Sequence, residues 1–204
     1  MIPNSPAARL ILASSSPYRR ILLERLGLPF EVMAPDIDEA PMPGELPEAT
    51  ALRLARDKAA AVAARAPSAI VIGSDQVATL DGEQIGKPGT HARALAQLQK
   101  MRGRQVLFHT ALCVWDARAS TLTGPAQVAS ILTSVTFRHL SDAELDAYLH
   151  IEQPYDCAGS ARNEGLGIAL LERIDSCDPT ALTGLPMIAL SGMLRQAGVR
   201  FFGL

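Results

Sequence analysis

Three serines in a row, Ser14, Ser15 and Ser16, separate the apolar run Arg9 to Ala13 from Pro17, Tyr18 and the paired arginines Arg19 and Arg20. A strand-to-helix turn of this kind aims free backbone N–H groups outward at the positive end of a helix dipole. Serine hydroxyls and guanidiniums add charge-assisted donors suited to phosphate oxygens. The turn can hold an anion, although the same residues also describe a helix N-cap dressed with solvated arginines. A second stretch, Gly73-Ser74-Asp75-Gln76-Val77, sets a carboxylate behind Ile70, Val71 and Ile72. Held by a core, Asp75 suits a general base or a metal ligand, and a turn or cap aspartate after glycine has the same local signature. Gly86-Lys87-Pro88 fixes a cation just past a turn, yet no Gly-x-x-x-x-Gly-Lys-Ser/Thr phosphate loop occurs. Lys58, in an alanine-rich stretch, reads either as a solvated helix face or as a phosphate ligand. Asp36, Asp38 and Glu39 are close enough in sequence to hold a hard divalent cation, or to form a solvated acidic loop. His91, His109, His139 and His150 show no metal-ligand spacing and are expected to be packed or exposed.

These groups can act together only if the fold gathers them. Arg9 to Ala13 reads as a short buried strand, followed by a helix that Pro17 opens, Leu22, Leu23 and Leu26 bury, and Gly27 stops. Phe30 to Pro35 alternates as a strand, and the acidic, proline-rich stretch after it can only be a loop. The clearest helix runs from about Glu48 to Ala66, where Pro67 ends it. Ala69 to Leu80 reads as a buried strand broken at Gly73 to Gln76, and Asp81-Gly82 signals a hairpin. Thr90 caps a helix to about Met101, and two long strands follow at Gln105 to Trp115 and Val128 to Phe137. Ser141 and Glu144 form a capping box for a helix to about His150. The stretch Cys157 to Ile174 is glycine-punctuated and then strand-like, and Pro186 to Gln196 is a final apolar helix. Strands and helices mixed without strict βαβ alternation predict an α/β domain around a twisted mixed sheet.

Bulk properties narrow the classes. The 204 residues fit one domain, with two lobes at most, spanning 1–204, and no repeat or linker divides them. An apolar fraction of 48% is enough for a sizeable core. A formal charge of only -2 argues against a nucleic acid polymer as partner, while a local basic pocket for a small anion stays open. Cys113, Cys157 and Cys177 are odd in number and lack Cys-x-x-Cys spacing, which fits a reducing compartment and speaks against a zinc site or disulfide framework. No stretch has transmembrane length and the N-terminal run makes no convincing signal peptide, so the expectation is a soluble cytoplasmic protein with no membrane partner.

Read in order, "LILASSSPYRR", "RLARDKA", "IGSDQV", "GKP", "FRHLSDAEL", "CAGS…EGLG" and "GLP" resemble the Maf family of nucleotide pyrophosphatases, from Arg9 to about Arg195. The resemblance implies a two-lobed α/β fold, a twisted mixed β-sheet flanked by helices with the nucleotide cleft between the lobes, and a homodimer such as family members often form. It implies hydrolysis of a nucleoside triphosphate between the α- and β-phosphates, supported by a divalent cation, Mg2+ or Mn2+. On that reading Ser14, Ser16, Arg19, Arg20, Lys58 and Lys87 clamp phosphates. Asp75 activates water, and Glu39 with Asp75 holds the metal, so Asp75 serves as base, ligand or both. Three positions associated with the choice of base match Tyr18, Gln76 and Glu164. An aromatic residue, Gln and Glu there resemble the branch that hydrolyses 7-methylguanosine triphosphate, whereas the dTTP and UTP branch has Arg, Thr and Gln. A methylated guanine carries a positive ring that an aromatic face attracts, and a carboxylate accepts from its N1–H and N2 amine. The alternatives are a dTTP/UTP-preferring pyrophosphatase and a non-catalytic nucleotide-binding regulator linked to septum formation.

Overall fold

In the computed structural model, which describes residues 9–118 and 126–202, strands and helices succeed one another without regular alternation. They are β1 (Arg9–Ala13), α1 (Pro17–Glu24), β2 (Phe30–Val32), α2 (Pro47–Ala63), β3 (Ala69–Leu80), β4 (Glu83–Ile85), α3 (His91–Met101), β5 (Gln105–Asp116), β6 (Gln127–Phe137), α4 (Asp142–Glu152), β7 (Leu171–Ser176) and α5 (Met187–Gln196). The first residues, which bear on a signal peptide, lie outside the described residues. Among the described residues, seven strands form one sheet in the order β2-β1-β3-β5-β6-β7, with β4 paired to the far end of β3. β1 runs parallel to β2 and β3, and the remaining pairs are antiparallel. The expected mixed sheet is therefore present.

The expected break at Gly73 to Gln76 is not. β3 runs unbroken through it, pairing Gly73 with Cys113, Ser74 with Leu112, Asp75 with Ala111 and Gln76 with Thr110. Local turn propensity loses here because β5 supplies ladder partners along the whole strand. Gly73 is present for packing rather than turning. A Cβ at that position would run into the Ala55 carbonyl oxygen and lie 2.8 Å from the Ala59 nitrogen, so α2 can rest directly on β3 only over a glycine.

Side chains of a strand alternate between faces, and β3 sorts its residues accordingly. Val71 and Val77 join Ala51, Ala55, Ala59 and Val62 of α2 in one core. Ile70 and Ile72 join Leu22 and Leu23 of α1 and Leu190 and Leu194 of α5 on the opposite face. Beyond the middle of the strand, Ala78 and Leu80 pack with Leu98 and Met101 of α3 and Leu145 and Leu149 of α4. The long strands β3 and β5 thus pass through two lobes, and Asp75, seventh of the twelve β3 residues, stands where one gives way to the other. Local signals hold at the ends of elements. Thr90 caps α3, Ser141 and Glu144 form the capping box of α4, and Asp81 and Gly82 take the positive φ values of a two-residue hairpin. Among the described residues no helix is long and apolar enough to cross a membrane.

Candidate active site

Ser16 is the N-cap of α1, its Oγ accepting from the Arg19 backbone N–H at 3.4 Å. Ser14 is buried, and its Oγ accepts from the Ser16 N–H at 3.1 Å and from Arg19 Nη1 at 3.5 Å. Both hydroxyls shape the turn and hold Arg19. Arg19 Nε also donates to the Gly184 carbonyl at 2.8 Å. Burial pushes its guanidinium pKa down, and the carboxylates of Asp75 and Glu39 push it back up. Arg20 does not join the group. It pairs with Glu24 at 3.0 Å on the exposed side of α1 and lines a separate hollow with Leu28, Pro29 and Phe30. Adjacent helix residues point about 100° apart, so Arg19 and Arg20 leave α1 in different directions.

Asp75 lies on the α2 face of β3, where Lys58 Nζ donates to its Oδ1 at 2.7 Å and stands 2.9 Å from Glu39 Oε2. Lys58 is only 4% exposed and Asp75 7%, so the solvated helix face expected of Lys58 gives way to a buried ion pair. Such a charge is tolerable inside only when partnered. Its signal was in the sequence: Ala51, Leu54, Ala55, Lys58, Ala59 and Val62 form one helical stripe, and the lysine sits inside it. Of the three acidic loop residues, Glu39 alone reaches the cleft. Asp36 is exposed, and Asp38 Oδ1 accepts from the Ala40 N–H at 2.9 Å to turn the loop. Asp75 and Glu39 already share one cation in Lys58, and their oxygens are the donors that a hard divalent ion takes.

The opposite face of β3 fastens a third wall. Ser74 Oγ lies 2.8 Å from both the Ala111 and Gly184 carbonyl oxygens. Gln76 Nε2 donates within a cage of Thr110 Oγ1 at 2.9 Å, Leu182 O at 3.0 Å and Ala181 O at 3.1 Å. Asp178, buried, accepts from the Ile188 and Ala189 N–H groups and so caps α5 from a distance. The sequence alone does not reveal these roles of Ser74 and Asp178, because the carbonyls that Ser74 meets and the helix that Asp178 caps lie ten or more residues away.

These walls enclose a cleft of about 540 Å³, the size of a small-molecule site. Ser14 to Arg19, Glu39, Lys58, Asp75 and Gln76 line one side, while Lys87, Asp156, Cys157 and Glu164 line the other. Tyr18 turns its ring into the cleft with the Arg162 guanidinium 5.5 Å from the ring centroid and Cys157 Sγ 3.8 Å from its hydroxyl. Burial, with help from Cys157, pushes its phenol up to about 12. Burial also raises the Glu164 carboxyl, partly offset by its backbone hydrogen bond, Arg162 and Thr183. Apart from Arg20, Asp36 and Asp38, every sequence-named site residue therefore borders one space. Of the histidines, His91 and His150 do come together, beside Asp146 and away from this cleft.

The Maf-like protein family is matched over residues 9–197. A protein of Cupriavidus metallidurans named 7-methyl-GTP pyrophosphatase is 70% identical, over 95% of this chain and 96% of that protein. Proteins of the same name from Ralstonia nicotianae and Burkholderia pseudomallei are 67% and 68% identical. The first alignment covers 95% of this chain and 97% of that protein, the second 96% and 90%.

Proposed function

The chain belongs to the Maf family, and from that membership we propose that it is a nucleoside triphosphate diphosphatase. It hydrolyses the α–β phosphate anhydride of 7-methyl-GTP, giving 7-methyl-GMP and diphosphate. The observation that carries this reading is the cleft in which Asp75, buried and held by Lys58, faces the Ser14–Arg19 turn and Lys87. A triphosphate brings several negative charges, and this cleft answers with the N-terminus of α1, one guanidinium and two ammonium groups.

Positioning and electrostatics supply most of the rate in phosphate chemistry. The α1 turn and Arg19 grip phosphate oxygens from one side and Lys87 from the other, so the anhydride lies against Asp75. The Asp75 carboxylate takes a proton from water as the water oxygen attacks phosphorus, the bridging P–O bond breaks and diphosphate leaves. Asp75 and Glu39 would hold Mg2+ or Mn2+, whose charge offsets that of the phosphates. Tyr18 offers its ring to the cationic base, and Glu164 accepts from the guanine N1–H and amine. Gln76, committed to the Ala181–Leu182 wall, shapes the base pocket rather than reading the base freely. Residues 1–204 then act as one unit, since the cleft draws on elements from Ser14 to Gly184, and a nucleotide substrate suits a cytoplasmic location.

The test is a panel of nucleoside triphosphates, modified bases included, assayed for diphosphate release with Mg2+ or Mn2+. Turnover is expected to be fastest on 7-methyl-GTP and to vanish in Asp75→Asn. Faster turnover of dTTP or UTP would overturn the base assignment and leave the chemistry. Tight binding without any turnover would overturn the enzymatic reading itself.

A further inference from the structure

A second group of ligand-bearing side chains lies where α3 meets α4. His91 is the first residue of α3, and Asp146 and His150 stand one turn apart on α4, which puts them on one face. One ligand atom from each lies within 4.8 Å of the other two. His91 Nε2 is 2.7 Å from Asp146 Oδ1, and His150 Nε2 is 3.4 Å from Asp146 Oδ2. The two imidazole rings are 4.6 Å apart between centroids.

The surrounding hydrogen bonds define what this group needs. The Tyr155 hydroxyl is 3.1 Å from His91 Nδ1 and directs its own proton to the Leu149 carbonyl at 3.4 Å. The 2.7 Å contact to the carboxylate is that of an Nε2–H donor. On the other tautomer the proton sits on Nδ1, where the Tyr155 oxygen can accept it, and Nε2 offers its lone pair to a metal ion. Asp146 Oδ1 takes the Nε2 proton, or an ion seated between the ring and the carboxylate replaces that proton. His150, beside the same carboxylate, brings a third ligand atom within reach of such an ion. An imidazole whose remote N–H is fixed by an outer hydrogen bond is the usual arrangement of a metal-bound histidine.

We propose that His91, Asp146 and His150 form a site for a borderline divalent transition metal such as zinc, separate from the oxygen donors Asp75 and Glu39. Two imidazoles and one carboxylate suit zinc, cobalt or nickel rather than magnesium, with water completing the shell. The His150 side chain is 70% exposed, so an ion can enter. The site staples α3 to α4 beside one wall of the cleft. The Gly89 N–H donates to the Tyr155 carbonyl at 3.0 Å, and Lys87, Asp156 and Cys157, close by in sequence, line that wall.

Cobalt titration of the metal-free protein in excess Mg2+, followed by visible absorption, tests the site. One equivalent of Co2+ should give the absorption of a nitrogen- and oxygen-ligated ion, Zn2+ should displace it, and Zn2+ should raise Tm. In Asp146→Asn and in His150→Ala, both with side chains outside the cleft and partly exposed, Co2+ affinity should fall at least about tenfold. Magnesium-supported diphosphate release should be unchanged in both variants, which also reports that each is folded. No Co2+ binding in excess Mg2+, undiminished binding in the two variants, or loss of binding in Glu39→Gln instead would overturn the site.

Discussion

Lys58 and Asp75 show how one pair of side chains can set the character of a cleft. Both are buried and stand 2.7 Å apart, and removing either partner of a buried pair is strongly destabilising. Glu39, the second carboxylate beside the ammonium, is more than half exposed. Glu164 poses a different problem, since burial raises its carboxyl pKa. The acceptor form is the ionised one, and as pH falls it is lost earlier than for an ordinary glutamate. KM for 7-methyl-GTP should therefore rise on acidification. Glu164→Gln should raise KM at neutral pH and flatten that acidic limb. KM profiles against pH for the two proteins check this, and a parallel acidic limb in the variant would contradict it.

At the level of elements, the contact of α2 with β3 governs the position of Lys58. Gly73 lets the helix lie on the strand with no intervening side chain. Gly73→Ala must push the Ala55–Ala59 turn outward, at a cost on the order of 1–3 kcal/mol as for other overpacked cores. The shift should also draw Lys58 away from Asp75. Chemical denaturation should register the lost stability, and kcat should fall more than KM rises. The alternation of β3 explains the division of labour around it. Gly73 and Asp75 face α2 and its lysine, while Ser74 and Gln76 face the 181–184 wall. The Gly184 carbonyl joins α1 to that wall by accepting from Arg19.

For the whole molecule, the decisive feature is the length of β3 and β5. Each has twelve residues, enough to serve two separate cores and to leave the cleft across their middle. A nucleotide bound there touches elements of both lobes and should stabilise them together. A saturating non-hydrolysable analogue of 7-methyl-GTP should raise Tm as one cooperative transition. At a hundredfold excess over Kd the gain is about 2.7 kcal/mol. Calorimetry would show it, and a shift confined to part of the transition would indicate lobes that unfold independently.

What the sequence determined by itself was local. The N-cap at Ser16, the caps at Thr90 and Ser141, the Asp81-Gly82 hairpin and the apolar faces of the helices depend on partners within a few residues. The ordered motifs also sufficed to suggest the family and its chemistry. Only the tertiary structure decided that β3 runs unbroken, that Lys58 is buried against Asp75, that Arg20 turns away, and that His91 meets Asp146 from 55 residues off. The physical reason is common to all four. Which direction a side chain faces, and what charge it meets there, depends on the neighbours that packing brings from distant parts of the chain, and no local propensity encodes them.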